Sequence, residues 1–172
     1  MKKSTFTLFT GILLLIHTTA CSQDKKHEQE ITTTREPAIS TQNTIDFPEL
    51  VSLEDILSKA KKENKNCLIY FSGYTCVNAR KFEEQVLKQP EIEKFIKENF
   101  VYAVAYVDDN QKERGQTETK GERYAKLQKE YFNSIGQPML YILTPDRKLA
   151  VVWSYADGSD NFKDLLEESI HH

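Results

Sequence analysis

Residues 66–80 read Asn-Cys-Leu-Ile-Tyr-Phe-Ser-Gly-Tyr-Thr-Cys-Val-Asn-Ala-Arg, and this stretch decides the fold. Cys67 to Phe71 is a short apolar run rich in β-favouring residues, which predicts a core strand. Gly73 breaks the run. A helical pattern then begins, buries Phe82 and Val86, and must stop before Pro90. Cys76 therefore falls in the opening turn of a helix. Unpaired backbone N–H groups and the positive end of the helix dipole favour thiolate over thiol at such a place. Position alone makes Cys76 a candidate nucleophile.

Outward from this centre, a short helix over 91–98 carries Ile92, Phe95 and Ile96. Residues 100–107 form a nearly unbroken apolar run, as expected of a strand covered on both faces. Residues 108–121 read as a long solvated loop. Its Asp108, Asp109, Asn110 and Glu113 offer oxygens, but their spacing does not match a calcium loop, so no metal is expected. Tyr124, Leu127, Gln128 and Tyr131 mark one helix face. Residues 139–143 and 149–153 are two strands joined through a turn at Pro145-Asp146. Phe162, Leu165, Leu166, Ser169 and Ile170 close the chain with an amphipathic helix. On the N-terminal side, Ser52-Leu53-Glu54-Asp55 resembles a capping box ahead of a helix carrying Leu53, Ile56, Leu57 and Ala60. The folded part, about 125 residues, suffices for one domain with its own core.

The stretch Gly73-Tyr74-Thr75-Cys76-Val77-Asn78-Ala79-Arg80-Lys81 resembles the active site of thioredoxin-like proteins. It is most similar to that of the C-terminal periplasmic domain of the disulfide reductant DsbD and its stand-alone lipoprotein relatives. Their pattern is Cys-x-x-Cys followed by a basic residue or two. Asn133-Ser134-Ile135-Gly136-Gln137-Pro138 stands where that family carries its cis-proline loop, and the similarity runs from about Phe47 to the C-terminus. The resemblance implies a thioredoxin-like α/β fold, with a central mixed sheet flanked by helices and an extra N-terminal helix. It also implies that Gly73, Tyr74, Thr75, Val77, Asn78 and Tyr70 surround the sulfur of Cys76. Gln137 and Pro138 would lie along an extended substrate chain, and no cofactor is implied.

Two departures matter. Ala79 stands where the family has its second cysteine, and Tyr70 stands where it buries an aspartate six residues before the first. In the dithiol members that acid takes the proton of the second cysteine, so the two losses agree with each other and with natural divergence. Loss of the carboxylate also removes a negative charge that would oppose a thiolate at Cys76.

Cys67 sits at the far end of the first strand, about 20 Å from Cys76, beyond disulfide reach, and reads as a small core residue. Only His171 and His172 occur in the folded part, which argues against Cys–His catalysis and against zinc.

Residues 1–20 open with Lys2 and Lys3, continue with an apolar run from Phe6 to Ile16, and end in Thr18-Thr19-Ala20 before Cys21. The run is too short to span a bilayer and reads as a signal peptide. Cys21 resembles the lipidated cysteine of a bacterial lipoprotein box, with Thr18 where leucine is usual. Residues 21–45 are polar and aperiodic and read as a lipidated, flexible tether reaching about 25–30 Å. Residues 46–172 would then be the thioredoxin-like domain. Loss of the leader takes the formal net charge from −3 to −5, which points away from nucleic acid as a partner. Lys62, Lys65, Arg80 and Lys81 read as ordinary solvated charges.

The expected protein is a lipid-anchored monomer of the bacterial cell envelope, on the periplasmic side or the outer membrane. Its partner would be an exported protein bearing a thiol or disulfide, with a membrane electron donor as a further candidate. Three readings of function stand at this stage. The first is monothiol exchange through Cys76. The second is a redox-inactive binding or chaperone-like module using the groove beside Pro138. The third is a dithiol reductase whose resolving cysteine has been mutated to Ala79.

Overall fold

The computed structural model describes residues 45–171. Helix α1 (Leu53–Glu63) starts at Ser52, whose hydroxyl accepts the Asp55 N–H, and ends at Asn64 in the left-handed conformation. There follow β1 (Asn66–Ser72), α2 (Val77–Phe82), α3 (Pro90–Asn99), β2 (Phe100–Tyr106) and α4 (Lys120–Phe132). Then come β3 (Met139–Leu143), β4 (Leu149–Ser154) and α5 (Phe162–Ser169). This is the expected order with the expected extra helix in front.

The strands form one mixed sheet in the order β2-β1-β3-β4, with β1 parallel to β2 and β3 antiparallel to both β1 and β4. All seven residues of β1 are buried. Alternation sends Leu68 and Tyr70 to one face, where Phe82, Val86, Leu87, Ile92, Ile96, Phe162 and Leu166 cover them. Cys67, Ile69 and Phe71 point to the other face, against Ile56, Leu57, Ala60 and Tyr124. The sheet therefore lies between α1 and α4 on one side and α2, α3 and α5 on the other. An α/β sandwich of this kind brings the C-terminal ends of β1 and β2 side by side, and that edge carries the candidate site.

Three features differ from the sequence reading. Ile45, assigned to the tether, is buried in the core together with Phe47, because the chain here runs beside β2 with backbone bonds between Pro48, Leu50 and Val104. The helix after Cys76 widens into a π-turn over Glu83–Leu87, marked by the Lys88 N–H bonding the Glu83 carbonyl. The loop after β2 is not wholly solvated. Asp109 is buried, and Gly121 already lies inside α4, where a Cβ would come within 2.5 Å of the Val107 carbonyl oxygen. Residues 1–44, including the leader and Cys21, lie outside the described residues.

Candidate active site

At the end of β1 the chain turns over Gly73–Cys76, closed by a 3.1 Å bond from the Cys76 N–H to the Gly73 carbonyl. Gly73 fits tight packing, since a Cβ there would lie 3.3 Å from both the Asp108 carboxylate and the Cys76 Cβ and would press each by a few tenths of an ångström. Asp108 holds the turn. Its carboxylate accepts the N–H of Tyr74 at 2.7 Å, the N–H of Thr75 at 2.9 Å and the Thr75 hydroxyl at 2.8 Å. The register explains this meeting. Ser72 pairs with Tyr106 at the end of the parallel ladder, so two residues further on Tyr74 comes beside Asp108. The Tyr74 ring stacks on Tyr106 with centroids 4.1 Å apart. Burial, with nearby carboxylates adding to it, pushes the Tyr74 hydroxyl up to about 12, so it stays protonated at physiological pH.

Cys76 is the N-cap of α2, with extended backbone and a side chain that makes no capping bond. It is partly exposed and carries a free thiol, whose Sγ lies 3.6 Å from the carbonyl oxygen of Gln137. The Gln137–Pro138 peptide bond is cis, and Pro138 is buried beside Met139, the first residue of β3. The loop that precedes it, residues 133–137, is anchored by the fully buried Gln128 of α4. The Gln128 amide donates to the Gly136 carbonyl at 2.8 Å and accepts from the Gln137 amide at 3.0 Å.

Along α2, Val77 is 66 % exposed and Asn78 also faces solvent, whereas Ala79 is wholly buried. Among the described residues the free cysteines are Cys76 and Cys67. Cys67 is completely buried on the far half of β1, and burial pushes its thiol up to about 12, so it behaves as a core residue.

Beneath α2 lies a polar cluster that the sequence reading missed. Glu83 is fully buried and accepts the Ser72 hydroxyl at 2.7 Å and an Arg80 N–H at 2.6 Å. Arg80, read as a solvated charge, is instead half-buried, and its guanidinium lies 5.5 Å from the Tyr106 ring centroid. Burial is the largest influence on Glu83 and raises its carboxyl above the ordinary 4.5, against the pull of Ser72 and Arg80. Tyr70 packs against Phe82 and is held far above the ordinary phenol range by burial and by Glu83. A buried carboxyl, Glu83, therefore acts on Tyr70 from the helix that follows Cys76.

The structure thus brings together Gly73, Tyr74, Thr75, Cys76, Gln137 and Pro138. It leaves Val77 and Asn78 on the outer face of the helix and turns Tyr70 toward the buried cluster. Among the described residues, no group of three His, Cys, Asp or Glu side chains could hold a metal ion.

The sequence profile of a family described as a thioredoxin-like domain matches residues 53–169. The chain belongs to this thioredoxin-like family. Among solved structures, a DsbH oxidoreductase aligns with a TM-score of 0.56 at 18 % identity, covering 76 % of this chain and 92 % of that one. The C-terminal domain of DsbD from Neisseria meningitidis, in its oxidised form, aligns with a TM-score of 0.51 at 20 % identity, covering 72 % and 97 %. A disulphide isomerase from Xylella fastidiosa Temecula1 aligns with a TM-score of 0.53 at 16 % identity, covering 73 % and 98 %. At these identities the likeness is one of fold. The comparison with curated proteins finds no match. Within the thioredoxin-like fold, this site offers a partly exposed thiol beside a backbone carbonyl.

Proposed function

We propose that this thioredoxin-like protein carries out thiol–disulfide exchange through Cys76 alone. The thiolate attacks a disulfide RS–SR′, forming Cys76–S–S–R and releasing R′S⁻. A second thiolate R″S⁻, from the substrate or from solution, then attacks the sulfur of R, forming R″S–SR and releasing Cys76 as the thiolate. Electrons balance within the exchange, so no cofactor is needed. The observation that carries the proposal is the partly exposed Sγ at the N-cap of α2, 3.6 Å from the Gln137 carbonyl, with buried Ala79 three residues on.

The partner is read as an exported protein bearing a thiol or disulfide, possessing enough extended chain to lie along residues 137–138. The proposal includes the setting. Residues 1–20 are the signal peptide, Cys21 carries the lipid, residues 21–44 form the tether, and a monomeric domain works in the bacterial cell envelope. Among the described residues no helix is long and apolar enough to cross a membrane.

The test incubates the protein with glutathione disulfide and maps the adduct by mass spectrometry. A single glutathione on Cys76, released by added thiol and absent from Cys76→Ser, is the expected result. Failure to form that adduct, with Cys76 still open to alkylation, overturns the exchange reading in favour of a binding module.

A further inference from the structure

The Gln128 side chain is 0 % exposed, on a helix otherwise facing the core with Gly121 and Tyr124. A buried amide requires partners for both its donor and its acceptor. Both partners of Gln128 belong to the same short loop. The Gly136 carbonyl can only accept, so the Gln128 Nε2 must face it, and the Oε1 is then left to receive the Gln137 Nε2. The Gln137 amide also donates to the Ile135 carbonyl at 3.0 Å, which ties the loop to itself. The backbone carbonyl of Gln128 takes the N–H groups of Asn133 and Ser134 as the helix ends. One residue of α4 therefore grips the loop from both ends, and the Gln137 carbonyl so held is the group that faces the Cys76 sulfur.

We propose that Gln128 is a positioning residue for exchange. It sets residues 134–137 so that an extended polypeptide disulfide docks with its sulfur in line with Cys76. The inference rests on the exchange reading above. Gln128 touches neither sulfur nor substrate, so its effect is confined to docking. Reactions of Cys76 that use no docking strand are independent of it.

The experiment compares the protein with Gln128→Met, which keeps the volume and removes both side-chain bonds, and with Gln128→Asn, which keeps the amide but withdraws it from the loop by one methylene. Two rates are measured for each, with modification read at Cys76 by peptide mapping. One is alkylation by iodoacetamide, and the other is exchange with a disulfide-bearing peptide over a range of peptide concentration. Expected are alkylation rates within about twofold of the parent and an apparent KM for the peptide raised about tenfold, a change equivalent to misplacing a docked group by a fraction of an ångström. Thermal melts establish that each variant is folded, and Gln128→Asn carries the test if Gln128→Met does not fold. An unchanged KM in a folded variant overturns the inference while leaving exchange intact. Equal losses in alkylation and exchange also overturn it, because they mark general damage. A parent protein that alkylates but never exchanges overturns the reaction and this role together.

Discussion

Asp108→Ala removes the side-chain acceptor that holds the turn before the nucleophile. Three hydrogen bonds of 2.7, 2.9 and 2.8 Å end on its carboxylate, two from backbone N–H groups and one from the Thr75 hydroxyl. Bonds to a charged group contribute about 1.5–3 kcal/mol each when buried. Thr75 is exposed and Asp108 only partly buried, so water replaces much of what is lost. The bonds also share one acceptor and do not add. A loss of about 2–3 kcal/mol follows, most of it from the Tyr74 N–H, which packing under the Tyr106 stack keeps drier. Urea unfolding reads this as a lower midpoint with an unchanged slope. The freed turn also lets Cys76 drift, and exchange with a disulfide should slow about tenfold or more. Asp108→Asn should recover less than half of either loss, because its NH₂ group must face one of the N–H donors. A stability change below about 0.5 kcal/mol together with an unaltered exchange rate would refute the idea that Asp108 organises this turn.

Three further perturbations follow from the same geometry. Gly121→Ala should cost at least about 2 kcal/mol in urea, because the new Cβ would sit 2.5 Å from the Val107 carbonyl oxygen and 2.7 Å from the Asp109 nitrogen, both backbone atoms. Glu83 has a folded value raised above the ordinary 4.5, so its contribution is complete below that pH and is lost as pH rises through the raised value. Stability of the parent should therefore decline on that rise, and the decline should shrink in Glu83→Gln; identical pH profiles would argue against a raised carboxyl. Ala79→Cys places a second thiol on a buried position one helical turn from Cys76. Release of a mixed disulfide should then accelerate by about a hundredfold or more, since the attack becomes intramolecular. A release rate that stays dependent on added thiol would show that position 79 cannot serve as a resolving site.

What the sequence determined by itself was whatever depends on neighbours along the chain. The strand over residues 67–71, the helix opening at Cys76, the capping at Ser52 and the closing amphipathic helix are all local patterns of period and punctuation. So was the isolation of Cys76 from Cys67, which strand length alone ensures. The tertiary structure decided what no local pattern encodes, namely which polar side chains become buried and against what. Asp108 and Asp109 look like loop acids until the parallel register carries the end of β2 alongside the turn after β1. Arg80 looks like a solvated charge until α2 lies down over Ser72 and seats it against the buried Glu83. Gln128 looks like one more member of a helix face until a loop eight residues later folds back to meet its amide. Hydrophobic spacing is written along the chain, but the partner of a buried polar group is chosen by packing between distant segments, and only the assembled fold contains that choice.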